Sequence, residues 1–148
     1  MTEDVRHLVA SVAELWNTGN SAIAHRVYAD DCPRIDVNLP PGTRGGEAVA
    51  RYVAEIRSAY PDLRLEVTDT VSEGDRLVVH WSITGTHGGT FRGLAPTGKR
   101  INIEGVTLAR VKDGKLTEDR VYFDRMTMFE QLGVVPEALQ GSHTMGAG

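Results

Sequence analysis

The chain has 148 residues, of which 41% are hydrophobic and 24% are charged, a composition typical of one globular domain and not of a disordered, collagen-like or membrane protein. Twenty acidic residues against sixteen basic ones give a net charge of −4, the wrong sign for a protein that binds nucleic acid through its phosphates. Cys32 is the single cysteine, so we expect no internal disulfide, no cysteine-based zinc site and no reactive thiol.

Two helices are predicted at the start of the chain. Over residues 2–17 the apolar residues recur at steps of three and four, the pattern of a helix with one buried face. Thr2 is a suitable N-cap, Gly19 and Asn20 end this helix, and a shorter helix follows over 21–28. The acidic start and the lack of a long apolar stretch predict neither a signal segment nor a membrane span, so we expect a cytoplasmic protein.

The rest of the chain changes from helical to strand periodicity. A strand is predicted over 34–39, a loop over 40–46 and a helix over 47–59, which Pro61 ends. Alternating apolar residues then predict strands that begin near residue 63 and cover 77–85, 91–94, 101–111 and 116–123, before a short helix at 128–132. This order favours an α+β domain over 1–135, with helices on one side of a curved, mostly antiparallel sheet, and a polar tail over 136–148.

Five segments resemble the SnoaL-like polyketide cyclase family. They are LWNTGN at 15–20, PD at 61–62, WSITGTHGGTFRG at 81–93 with PTGK at 96–99, DGKL at 113–116 and DRMTMFEQLG at 124–133. The resemblance implies the NTF2-like (cystatin-like) cone, in which the sheet wraps around three to four helices. Nuclear transport factor 2, ketosteroid isomerase and limonene epoxide hydrolase share this fold, which often forms dimers or tetramers. An open sheet with an apolar outer face usually pairs with another subunit, so we expect a homodimer.

Asp124 matches the family's catalytic aspartate by its position between the late hairpin and the QLG segment. We expect its carboxyl to lie in an apolar pocket, where loss of water raises the pKa and prepares the group for proton transfer. The resemblance then implies an acid/base reaction on a hydrophobic, polyketide-like carbonyl compound, such as an intramolecular aldol closure, without a cofactor or metal. An epoxide hydrolase and a non-catalytic small-molecule binder remain as alternatives.

Two further polar residues depart from the family pattern. Strand alternation places His80 on one face with Ser82 and Thr84, and this face lines either the cavity or the solvent. A cavity position would let His80 donate a hydrogen bond to a developing oxyanion. Arg120 lies four residues before Asp124, and if it points inward it lowers the Asp124 pKa, as would suit an epoxide hydrolase.

Asp36 and Asn38 share one face of the first predicted strand. Ketosteroid isomerases place their general base on an early strand, so Asp36 is the second candidate for the base and Asn38 a candidate ligand contact. A flat substrate could pack against large side chains at five further positions, although such residues are more often core than pocket. These are Trp16, Tyr52, Trp81, Tyr122 and Met126.

Overall fold

The structure is a computed structural model that describes residues 1–139. Its helices are α1 (Glu3–Thr18), α2 (Ser21–Val27), α3 (Gly45–Ala59) and α4 (Arg125–Leu132), followed by a 3-10 turn at Glu137–Leu139. Its strands are β1 (Arg34–Ile35), β2 (Arg64–Glu73), β3 (Arg76–Thr86), β4 (Arg100–Lys112) and β5 (Lys115–Phe123). Most of the predicted tail, residues 140–148, lies outside the described residues.

The strands form one open sheet in the order β1-β5-β4-β3-β2. Neighbouring strands run antiparallel except β1 and β5, which pair in parallel. The predicted α+β fold with a mostly antiparallel sheet is therefore confirmed. Among residues 1–139, no helix is long and apolar enough to cross a membrane.

The core lies between the helices and the concave face of the sheet. On α1 the buried stripe includes Leu8, Leu15 and Trp16, and on β3 the inward side chains include Trp81 and Ile83. Burial of each large apolar side chain contributes about 1.5–3 kcal/mol. The ends of α1 are fixed as predicted, because the Thr2 hydroxyl accepts from the Val5 N–H and Gly19 takes a left-handed conformation at the C-cap.

Strand β1 is shorter than the predicted strand over 34–39. After Ile35 the Asp36 side chain accepts a hydrogen bond from the Asn38 N–H (2.9 Å), and the Leu39 N–H donates to the Asp36 carbonyl. Such a side-chain turn competes with the sheet ladder for the backbone groups. The chain therefore leaves the sheet at Asp36, and the residues that follow lie at the end of the cone.

The predicted strand over 91–94 is wrong. Phe91 and Leu94 instead exchange two backbone hydrogen bonds across a tight turn. Its central residues, Arg92 and Gly93, both have positive φ (48° and 85°), as in the primed turns that close two-residue loops. The segment is a loop that leans over the cavity, because Phe91 is one of the cavity-lining residues.

Candidate active site in the cone

A cavity of about 100 Å³ occupies the space between the helices and the sheet. Its walls are mainly aliphatic and aromatic, the usual character of a small-molecule site. Five of the predicted site residues line it, namely Trp16, Asp36, Asn38, Tyr52 and Trp81. The cavity thus combines large apolar walls with a few polar groups, and those polar groups are concentrated on one side.

The polar side is built around a buried arginine between two carboxylates. Arg34 donates to Asp119 on β5 at 2.8 Å and to Asp36 at 2.9 Å, and all three residues line the cavity. Burial alone would lower the pKa of Arg34, but Asp119, Tyr28 and Asp36 raise it above its ordinary value. The guanidinium is therefore a permanent positive charge, and it neutralises one of the two carboxylates that flank it.

The guanidinium also joins the polar side to the aromatic wall. Its carbon lies 5.8 Å from the centroid of the Trp16 ring and 5.6 Å from that of Tyr52, within the range of cation–π attraction. The two rings meet edge to face at 5.8 Å. This packing fixes the positions of the aromatic side chains that face the cavity.

Asn38 and Tyr52 form a second polar pair beside Asp36. The Asn38 Nδ2 lies 3.1 Å from the Tyr52 Oη, and its Oδ1 lies 3.2 Å from a guanidinium nitrogen of Arg125. Both residues are buried. Burial, followed by the charge of Asp36, raises the pKa of Tyr52 to about 12, so its hydroxyl is protonated at neutral pH.

Trp81 forms the floor of the cavity on the sheet side. Its indole N–H donates to the Thr107 hydroxyl at 3.0 Å, and its ring lies over Gly105, the register partner of Trp81 on β4. A Cβ at position 105 would stand 2.2 Å from the indole. Only glycine leaves room for this ring on the sheet.

Asp124 does not occupy the position expected from the sequence. It is exposed, is not among the cavity-lining residues, and serves as the N-cap of α4. Its carboxylate accepts from the hydroxyl (2.7 Å) and the N–H (3.0 Å) of Thr127. These bonds lower its pKa, so the prediction of a half-shielded carboxyl with a raised pKa is wrong.

Four other predicted site residues also lie away from the cavity lining. His80 is on the outer face of β3, where its Nδ1 contacts the Thr68 hydroxyl at 2.9 Å. The prediction that this polar face lines the cavity is wrong, because the apolar neighbours of His80 on the strand point inward. Arg120, Tyr122 and Met126 are exposed. On β5 the inward positions are held by Asp119, Val121 and Phe123.

Sequence reasoning missed Arg34, Asp119 and Tyr28 as parts of the site. Asp119 lies between charged neighbours in the sequence, which is the pattern of a solvated strand, and its partner Arg34 is 85 positions away. The one local signal was the alternation of Arg34, Asp36 and Asn38 on one strand face. Cys32 is buried, and burial raises the pKa of its thiol to about 12, which disfavours the thiolate.

The family model for SnoaL-like polyketide cyclases matches residues 6–132. This chain belongs to the SnoaL-like polyketide cyclase family. Over 128 residues it is 28% identical to the aklanonic acid methyl ester cyclase DnrD of Streptomyces peucetius, with 85% of this chain and 88% of that protein covered.

Solved structures agree with this membership. IdmH from Streptomyces antibioticus superimposes with a TM-score of 0.76 at 28% identity, over 90% of this chain and all (100%) of that one. TsrD from Streptomyces laurentii has a TM-score of 0.82 at 20% identity, over 91% of this chain and 99% of that one, a likeness of fold alone. The NTF2-like cone of the SnoaL-like family is therefore confirmed for this chain.

Proposed function

We propose that this SnoaL-like polyketide cyclase closes a carbon ring by intramolecular aldol addition in a hydrophobic carbonyl compound, without a cofactor. The observation that carries the proposal is an apolar cavity whose polar groups, Asp36, Asn38 and Tyr52 among them, converge on one wall. An apolar wall binds the carbon skeleton and a single polar side selects where its oxygens lie. A relative named as an aklanonic acid methyl ester cyclase makes that ester the first substrate to try.

Asp36 is the proposed acid/base group. One of its oxygens accepts from Arg34 and the other from the Asn38 N–H, which leaves each oxygen with further acceptor capacity toward the cavity. Asp36 lies between Arg34 and the Asn38–Tyr52 pair, whereas Asp119 lies beside Tyr28 and Cys32. Asp36 lies on the side of the cavity that also holds Asn38 and Tyr52, and this position favours it as the group that faces the reacting atoms.

The proposed reaction is an isomerisation. The Asp36 carboxylate removes a proton from a carbon between two carbonyls, and the resulting enolate carbon attacks a second carbonyl carbon of the same molecule. A carbon–carbon bond forms, the attacked oxygen becomes an alkoxide, and the proton held by Asp36 returns to that oxygen. The delocalised substrate carries the charge, so the protein supplies only position, acid/base action and hydrogen bonds.

Replacement of Asp36 by Asn tests this assignment. We expect turnover of aklanonic acid methyl ester, followed as ring closure without mass change, to fall by a factor on the order of 10² to 10⁴. Asp119→Asn breaks the other half of the same Arg34 ion pair and controls for lost stability. Asp124→Asn should keep activity. If Asp124→Asn is the one variant that loses turnover, the catalytic base is Asp124 and not Asp36.

A second candidate function is epoxide hydrolysis, favoured by the placement of Arg34 between two carboxylates. Asp36 would then take a proton from a water whose oxygen attacks an epoxide carbon, and the opened ring oxygen would take that proton from Asp36. The two reactions differ in the source of oxygen, because only hydrolysis incorporates oxygen-18 from labelled solvent. Ligand retention without conversion of either substrate class would leave a binding protein.

We further propose that two copies pair through the outer face of the sheet. Neighbouring strands there present apolar side chains at adjacent register positions, since Val71 pairs with Val78 and Val78 with Leu108. Val71 and Leu108 are 60% and 41% exposed, and such a patch on a symmetric dimer would face its own copy.

A further inference from the structure

The orientation of the Asn38 amide fixes the role of the Tyr52 hydroxyl. Arginine only donates hydrogen bonds, so the Asn38 atom that contacts Arg125 at 3.2 Å is the carbonyl oxygen Oδ1. The atom that faces Tyr52 at 3.1 Å is therefore the amide nitrogen, which donates to the Tyr52 oxygen. Tyr52 accepts in this bond, and its own proton remains to be donated.

Asn38 is held in this orientation from several sides. Its backbone N–H donates to Asp36, and its backbone carbonyl oxygen accepts from Arg92. Arg92 is itself fixed by two hydrogen bonds to Glu55, at 2.9 and 3.1 Å. Rotation of the amide would set its NH₂ group against the Arg125 guanidinium, where neither group can accept a hydrogen bond, so the observed orientation is favoured.

The free proton of Tyr52 points to a ligand. Within residues 1–139 the hydroxyl has one hydrogen bond, and it is the acceptor in that bond. The side chain is 6% exposed and lines the cavity. A buried hydroxyl that cannot donate loses the free energy of a hydrogen bond, and the cavity is where an acceptor would come from.

We propose that Tyr52 is a catalytic hydrogen-bond donor, which binds the substrate carbonyl oxygen that becomes the alkoxide during ring closure, and that Asn38 and Arg125 are its positioning residues. This inference rests on the proposed function. It adds an electrophilic group beside the Asp36 base. The ligand it specifies is a hydrophobic ketone whose oxygen reaches the Asn38–Tyr52 side of the cavity.

The chain from Arg125 through Asn38 to Tyr52 strengthens the donor. The positive charge of Arg125 polarises the Asn38 amide, and the amide donates to the phenol oxygen, which makes the phenol proton more acidic toward a negative oxygen. Stabilisation grows as charge develops on the substrate oxygen, so it acts more on the transition state than on the bound ketone.

The kinetic test compares Tyr52→Phe with Tyr122→Phe, which removes a phenol hydroxyl from the exposed face of β5. We expect Tyr52→Phe to lower kcat for ring closure about 10²- to 10³-fold with little change in KM, and Tyr122→Phe to behave as wild type. If wild type closes the ring and Tyr52→Phe does so equally fast, the inference is overturned while the proposed function stands.

A second measurement tests the hydrogen bond from Tyr52 without requiring ring closure, so it applies even if the proposed function fails. The infrared carbonyl band of bound 9-fluorenone, a flat aromatic ketone, should lie at lower wavenumber in wild type than in Tyr52→Phe, because a hydrogen bond weakens the C=O bond. Arg125→Met should reverse part of the shift, since it removes the charge behind Asn38. A band at the same position in wild type and Tyr52→Phe, or no binding of the ketone, would overturn the inference.

Discussion

The carboxylate of Asp124 stabilises a helix end. Strand β5 ends at Phe123, and α4 begins at Arg125, so residue 124 is where the chain turns from one element to the other. The first N–H groups of a helix have no partner within it, and Asp124 satisfies that of Thr127. A negative charge at this end is also favoured by the helix dipole.

The capping role predicts a stability effect that depends on pH. Because the bonds from Thr127 lower the folded-state pKa of Asp124, its ionised form stabilises the fold above the ordinary carboxyl pKa of 3.8, and this contribution disappears as the pH falls through the folded-state value. Urea unfolding should show Asp124→Ala less stable than wild type at pH 7, with the gap closing below about pH 4.

Glu130→Ala on the same helix, also exposed, provides the control, and it should leave stability nearly unchanged at both pH values. A gap between wild type and Asp124→Ala that stays constant with pH would contradict the electrostatic part of the cap.

Strand β1 depends on charge more than on its ladder. It has two residues, pairs with β5, and carries Arg34, whose ion pairs with Asp36 and Asp119 are buried. Removing one partner of a buried ion pair leaves an uncompensated buried charge. The free energy of folding lost in this way is larger than the free energy that the intact pair contributes. The attachment of this edge strand is therefore sensitive to its one arginine.

Arg34→Met is expected to lower the free energy of unfolding by about 3–5 kcal/mol, because it leaves two buried carboxylates without a counter-charge. The triple variant Arg34→Met, Asp36→Asn, Asp119→Asn should recover part of the loss. Chemical denaturation followed by circular dichroism measures both. A loss below about 1 kcal/mol in the single variant, the level of a surface ion pair, would show that the carboxylates are not held as described.

At the scale of the whole molecule, the sheet presents two contrasting faces. The concave face lines the cavity, while the outer face mixes charged residues with the apolar patch that includes Val71, Val78 and Leu108. Open sheets with such a patch are commonly covered by a second subunit.

Leu108→Glu places a charge within that patch and should shift the sedimentation coefficient from dimer to monomer. Ala10→Glu, on the exposed side of α1, is the matched control and should sediment as wild type. Wild-type protein that sediments as a monomer at all concentrations would rule out the proposed pairing.

Hydrophobic periodicity was sufficient to predict most of the fold. The helices α1 to α3 and the strands β2 to β5 follow from the spacing of apolar residues, because the helical period and the strand period both reflect burial of one face of the element. The spacing did not reveal that Asp36 would end β1 early, because apolar spacing does not record the local turn in which the Asn38 N–H donates to the Asp36 carboxylate.

The sequence predicted the candidate site residues that share one face of a single strand. It did not predict those that come together only through tertiary packing. Alternation brought out Asp36 and Asn38, whereas the ion pair of Arg34 with Asp119 joins distant strands and has no local pattern. Asp124 was misassigned although a threonine three residues later, at the start of an α-helix, is compatible with an N-cap. Its position in the family pattern was given more weight than this local chemistry.

Both tryptophans of the chain, Trp16 and Trp81, lie on the cavity wall, so all of the indole fluorescence of the protein originates beside the ligand. Entry of an aromatic ketone should quench or shift that emission directly, by contact or energy transfer, without any attached dye. The protein therefore carries an optical reporter with which libraries of carbonyl compounds can be screened for binding before any product is sought.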